Sequence, residues 1–462
     1  MRVTLLGHAS VLVELDGATC LMDPVLADPF EEGIVVSCPR RTIDVDRLPA
    51  IDLLVVSHRH PDHFDLSSLA RIDRRADAVC PADPLIVYAL KELGFDNVHP
   101  VHPMAEIVGD GFELFPTRSE LKSIPEMGVV FHDRTGTFWN QVDTPLADAT
   151  IDAVRERFSR VDLLFAMYAS QNFEFFESLT TEFPAETHAR NLETALRIDP
   201  QVAVPASAGF RFDGAHDWLN AFLFPISRDR FVRDVHELAP EMPTVVMNPG
   251  DVMELDGQAV RHLPSASPVA RTEVDDSYRV DFDPTAPIPP LHDANADGLP
   301  DSELRAAVDA VLTAELGRWA DATGSGDRVL AAYAGSHTRY RIDVVFPDER
   351  IRWLRFDFGG DSLRLDTGSA TAPEADQVHR IAASALVGWV RRTRSFFSVR
   401  ASSRRYGTAC RMARKADGVT VDPRPLPDLL MYYVLQVAEG SDVSAKHEVD
   451  HQLRELREHP AG

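Results

Sequence analysis

Residues 57–63 read Ser57-His58-Arg59-His60-Pro61-Asp62-His63. They stand at the end of residues 51–57 (IDLLVVS), an apolar run with the length and composition of a fully buried strand. A chain that sets three imidazoles and a carboxylate at the mouth of a core strand must end that strand where the side chains can meet. Alternate residues of an extended segment point to the same side, so His58 and His60 can converge on one ion. The turn that follows can carry Asp62 and His63 round to a second. Imidazole with carboxylate suits zinc, iron or manganese rather than calcium or magnesium. The competing reading is a histidine-rich strand-to-helix loop that holds no metal.

The rest of the composition narrows the class. A chain of 462 residues has room for two or three sizeable cores. Its 47 basic against 72 acidic residues give a formal charge of −25, a field that repels phosphate backbones and anionic lipid. Neither nucleic acid nor a membrane is expected as a partner, and a small anionic substrate would need a locally basic pocket. Four cysteines (Cys20, Cys38, Cys80, Cys410) without C-x-x-C spacing argue against a disulfide framework, a zinc ribbon or a c-type haem. The N-terminus lacks a basic segment followed by a long apolar run, and no stretch reaches the ~18 apolar residues of a membrane span. The expected location is the cytoplasm.

Along the chain, short Val- and Leu-rich strands open the sequence, and strands then alternate with amphipathic helices through about residue 255. This is the pattern of a mixed α/β domain with sheets buried beneath helices. Residues 264–300 are rich in proline and acids and read as a linker. The spacing then predicts a helix over 304–320, strands at YRIDVVF and IRWLRFDF, a helix over 374–393, a strand over 396–401 and a charged helix over 448–458. The expected division is a metal-binding domain at 1–263, a linker at 264–300 and a smaller α+β accessory domain at 301–462.

The spacing of His58, His60, Asp62 and His63 resembles the H-x-H-x-D-H hallmark of the metallo-β-lactamase superfamily, and the resemblance runs from residue 1 to about 255. The opening Gly7-His8-Ala9-Ser10 and the later Asp23-Pro24 resemble its lactonase and phospholipase branch. The resemblance implies an αββα sandwich with metal held between the edges of two sheets. It also implies that His8 and Asp23 lie close to the metals and orient their ligands. Asp143, after the second strand of a hairpin, matches the carboxylate that bridges two ions; a turn or helix-capping aspartate is its alternative.

Two family histidines are missing. After residues 112–116 the chain offers Arg118-Ser119-Glu120, so Glu120 is the candidate replacement ligand, with Glu126 second. Near Pro205 the chain reads Ala206-Ser207-Ala208-Gly209-Phe210; His216 follows at the wrong spacing and is not assigned. Leu48-Pro49-Ala50-Ile51-Asp52 through the metal motif, then Pro125-Glu126-Met127, Val142-Asp143-Thr144 and residues 205–210, resemble the catalytic part of the CMP-N-acetylneuraminic acid hydroxylase family, which joins such a module to a Rieske domain. The C-x-H and C-x-x-H pairs of a Rieske cluster are absent from the sequence, so electrons would come from a separate ferredoxin or Rieske-type donor.

Three function classes therefore stand. The leading one is iron-dependent oxygenation of a small polar metabolite, with His58, His60, Asp62, His63, Glu120 and Asp143 on the metal and His8 and Asp62 assisting catalysis. The second is a zinc-dependent hydrolase of an ester, amide or phosphodiester, and the third a degenerate binding protein. Asp293, Asn295 and Asp297 resemble the start of a calcium loop but lack its twelfth-position acid. Arg40 and Arg41 could hold an anion, and Phe173, Phe175 and Phe176 could line a channel. Arg391, Arg392, Arg394, Arg404 and Arg405 could form a basic patch for an acidic partner.

Overall fold

Alternation along the strands builds the first domain. In Arg2–Gly7 and Ser10–Leu15, Val3, Leu5, Val11 and Val13 enter one core together with Val129, Phe131, Phe138 and Phe165 from a second sheet. Val130, between Val129 and Phe131, points the other way. It joins Ile151 and Val154 of the helix Asp148–Phe158 and Leu192, Ala195 and Ile198 of the helix Ala185–Ile198. Two sheets thus pack face to face with helices outside. The helix Pro84–Glu92 covers the first sheet, burying Leu85, Ile86, Ala89 and Leu90.

This is a computed structural model. It describes residues 1–462 except 122, 169–170, 173–174, 177–181, 275–281, 324–325, 361, 407–409, 416–417, 438–440 and 460–462, so Phe173 lies outside the described residues. The chain divides into two compact units, 1–171 with 183–284 and 452–462, and 172–182 with 285–451. Among the described residues the first sheet has eight strands. Their order is Val260–Leu263, Val252–Leu255, Arg2–Gly7, Ser10–Leu15, Ala18–Met22, Leu53–Val55, Asp77–Pro81 and Asn97–Val101. The second has six: Val202–Ala206, Leu163–Met167, Gly136–Asn140, Met127–Asp133, Phe112–Arg118 and Ile107–Val108. The proline-rich segment is not uniform, because Ala270–Val274 pairs antiparallel with Arg40–Ile43.

Arg41 is not an anion handle. Its guanidinium is buried, donating to Asp28 Oδ2 (3.0 Å) and to the carbonyls of Leu6 (2.9 Å) and Val25 (2.7 Å). It threads under Gly7, whose φ of 129° and lack of a side chain are both required; a Cβ there would lie 2.6 Å from the arginine. Arg40 is spent on Asp213.

The second unit holds a five-stranded sheet in the order Arg364–Gly368, Ile351–Asp357, Arg339–Val345, Gln377–Ala382 and Ser403–Tyr406. Its core joins Tyr340, Ile342 and Phe356 to Leu304, Val308, Tyr333, Leu386 and Leu430 from helices. Three expectations need correction. The segment expected as one helix over 374–393 begins as the strand Gln377–Ala382, which pairs parallel with Arg339–Val345, and becomes helical only at Ala383–Val390. Residues 396–401, expected as a strand, are helical, and Ser395 caps them by accepting from Ser398 N. The calcium loop is also overturned. Asp293 accepts from Asn295 N and from Ser384 N and Oγ, while Asp297 pairs with Arg394. These carboxylates serve protein donors instead of converging on an ion. The arginine patch is likewise paired internally, Arg391 with Glu303 and Arg405 with Asp428.

Arg41 gives a stability prediction. Arg41→Met strands Asp28 and two carbonyls, so unfolding of the first unit in urea should lose about 3–5 kcal/mol. A loss under about 1 kcal/mol would show that the staple carries no weight.

Candidate metal centre

The site forms where strands of both sheets stop. Leu53–Val55 runs parallel between Ala18–Met22 and Asp77–Pro81, and the chain beyond it carries His58 and His60. Arg59, between them, points away and gives its Nε–H to buried Asp83 (2.7 Å), the N-cap of the helix Pro84–Glu92. The turn is closed by His63 N and Phe64 N on His60 O (2.9 Å each). From the second sheet, the turn after Gly136–Asn140 presents Asp143. It is pinned by Gln141 N on Phe165 O (3.0 Å) and Thr144 Oγ1 on Gln141 O (2.6 Å). His8 (φ 50°), Asp23 (φ 46°), Val142 (φ 59°) and Ser207 (φ 65°) all adopt left-handed backbone around this edge. Such conformations persist where surrounding contacts enforce them.

Asp23 decides which nitrogens face inward. Its loop is gripped by Ser10, whose hydroxyl donates to Asp23 O (2.8 Å) and accepts from Val25 N (2.9 Å). The Asp23 carboxylate accepts from Ser57 N (2.7 Å), from Ser57 Oγ (2.6 Å) and from His63 Nδ1 (2.9 Å). Since the Ser57 hydroxyl gives its only proton to Asp23, it can only accept from His58 Nδ1–H at 2.9 Å. Both imidazoles therefore donate from Nδ1 and turn Nε2 toward the centre.

Those atoms fit a metal. His58 Nε2, His63 Nε2 and Asp143 Oδ1 are buried with no hydrogen-bond partner among the described residues. Asp143 Oδ2 lies 3.8 Å from His58 Nε2 and 3.7 Å from His63 Nε2, and Asp62 Oδ2 lies 3.6 Å from His63 Nε2. These gaps exceed a hydrogen bond and approach the roughly 3.4 Å that separates donors sharing a tetrahedral ion at 2.0–2.2 Å. Two groups of donor atoms lie within 4.8 Å of one another, His58 with His60 and Asp143, and His8 with Asp62 and His63.

The charges also call for a cation. Burial, with His63 and His60 alongside, holds His58 well below the ordinary imidazole range, and burial lowers His60 and His8 too. Burial pulls His63 the same way, but Asp62, Asp143 and Asp23 outweigh it and raise His63 to about 10. A proton on His63 answers the carboxylates where a metal would otherwise do so.

Glu120 is not brought to this centre. It is exposed and belongs to neither group. Glu126 is buried, bonded to Ser119 Oγ, and feels both Asp143 and His63; burial is the main cause that pushes its carboxyl up to about 7. Ser57 was missed in the sequence, although its place directly before His58 is a signal for an orienting hydroxyl.

A family model described as a beta-lactamase superfamily domain matches residues 20–205. A metal-dependent hydrolase of Hyperthermus butylicus is 30% identical over 210 residues, 42% of this chain and 86% of its own. A putative Rieske 2Fe-2S iron–sulfur protein of Mycolicibacterium smegmatis is 28% identical over 179 residues, 37% of this chain. The chain spans only about a third (34%) of that relative. CmlA, a diiron β-hydroxylase from Streptomyces venezuelae, superposes with a TM-score of 0.40 at 18% identity, over 57% of this chain and 54% of that one. The chain belongs to the metallo-β-lactamase superfamily. No helix among the described residues is long and apolar enough to cross a membrane.

Metal binding should depend on pH through His63. Between about pH 7 and 9 the metal must displace its proton, so affinity should rise about tenfold per pH unit with one proton released, read by calorimetry in buffers of different ionisation enthalpy. No proton release would remove His63 from the metal. Glu120→Ala should leave metal content unchanged whereas Asp23→Ala lowers affinity about 10–100-fold; the reverse pattern would overturn this map of the site.

Proposed function

We propose that the first unit is an iron-dependent oxygenase of a small polar metabolite, driven by an external iron–sulfur electron donor. The observation that carries this reading is the donor chemistry of the first position: His58, His60 and Asp143 combine two imidazoles with one carboxylate. That set, with open positions, is characteristic of non-haem iron oxygenases. Buried Glu126 adds a third carboxylate beside Asp143 and makes the surroundings harder still. Iron bound here would supply the redox chemistry toward dioxygen that zinc lacks.

His58, His60 and Asp143 would hold one ion, and Asp62 and His63 a second. Asp23 and Ser57 keep the His58 and His63 rings in the ligating tautomer. Overall, one oxygen atom enters a substrate C–H bond. The other leaves as water, with two electrons from the donor and two protons from solvent. The sequence has no Rieske ligand pair of its own, and the Rieske name of the mycobacterial relative supports an iron–sulfur partner. A zinc hydrolase is the second reading, favoured by the hydrolase of Hyperthermus butylicus, most of whose length this chain matches.

Protein purified without added metal should carry iron. After anaerobic reduction its optical or Mössbauer spectrum should change on exposure to oxygen, and turnover should require reductant. Zinc together with oxygen-independent cleavage of an ester or phosphodiester panel would establish the hydrolase instead.

A further inference from the structure

We infer that His8 is a direct ligand of the second metal position, completing Asp62 and His63, and not merely a hydrogen-bond partner of Asp62. The inference rests on the two-metal reading above. His8 lies at the turn between Arg2–Gly7 and Ser10–Leu15, on the opposite side of the fold's connectivity from the histidine motif. Its ring is buried, with Nε2 3.1 Å from Asp62 Oδ2 and its centroid 5.1 Å from that of His63. Without it, the second position has Asp62 and His63 alone, with Asp143 reaching across from the first. With it, the two positions have matching donor sets.

The surroundings hold this imidazole by shape. Phe210 meets the ring edge-on at 5.2 Å and Phe30 stacks at 6.3 Å, while Nδ1 has no hydrogen-bond partner among the described residues. The strand Val202–Ala206 also ends at this edge, but the residues after it, Ser207 to Phe210, bring no imidazole. Gly209 instead lies so close to residue 8 that a Cβ would fall 3.1 Å from His8 Cα and 3.1 Å from Cys38 O. The second sheet thus buttresses the His8 backbone in its left-handed φ of 50°. A residue held in that conformation, ring fixed, keeps Nε2 beside Asp62 Oδ2 and His63, where in the loaded site Nδ1 would carry the ring proton and Nε2 the lone pair.

The test uses cobalt(II) as the probe and three variants. His8→Gln keeps an amide donor for Asp62 but removes the imidazole. His8→Gly suits the left-handed backbone and leaves room for free imidazole. His8→Asp keeps a ligating oxygen. Wild type should take two cobalt ions per chain. His8→Gln and His8→Gly should take one with undiminished affinity, the second weakened about 100-fold or more. The retained first ion shows that the fold survives. His8→Asp, and His8→Gly supplied with imidazole, should regain the second, seen as the return of its visible absorption. Two tightly bound ions in His8→Gln would overturn the inference alone, making His8 a positioning residue. Fewer than two in wild type would overturn the two-metal reading and the inference with it.

Discussion

One buried carboxylate organises the centre. Asp23 has no exposed surface, and a charge so placed is tolerable only when its oxygens are fully engaged. Three donors engage it, and two come from Ser57. Because the acceptor has no proton to return, direction propagates outward: Ser57 must accept from His58, and His63 must donate. Charge-assisted bonds of this kind are strong in a low-dielectric interior. The loop that carries Asp23 is held by Ser10, so the first hairpin of the sequence sets the chemistry of a motif some fifty residues later.

Much of the centre was legible because it is local. Four of its side chains fall within six positions, and a strand's alternation and one turn suffice to aim them. Asp143 was legible for a related reason, since a hairpin end has a definite direction. The choice between Glu120 and Glu126 was not. It depends on which part of the loop between Phe112–Arg118 and Met127–Asp133 tucks inward, and that follows from packing between sheets rather than from spacing. His8 has the same character, because its neighbours Asp62, Phe30 and Phe210 come from distant segments.

In the second unit, errors ran toward local propensity. Gln377–Ala382 continues into a helix without a break, and only pairing on both edges makes it a strand. The Ser395 cap was a readable signal for the helix Phe396–Ala401, outvoted by two adjacent phenylalanines. The acidic loop at Asp293 shows the opposite hazard: oxygen spacing that suits calcium also suits backbone amides and an arginine.

Arg59 occupies a place that family patterns leave blank, yet here it is tied to Asp83 on the far side of the strand end. The histidines and the arginine therefore behave as opposite faces of one ruler. Inserting or deleting a single residue would turn the arginine into the cluster and a histidine toward the helix Pro84–Glu92. The length of this motif is thus held from two sides, by the metal chemistry and, through Asp83, by the start of the helix Pro84–Glu92.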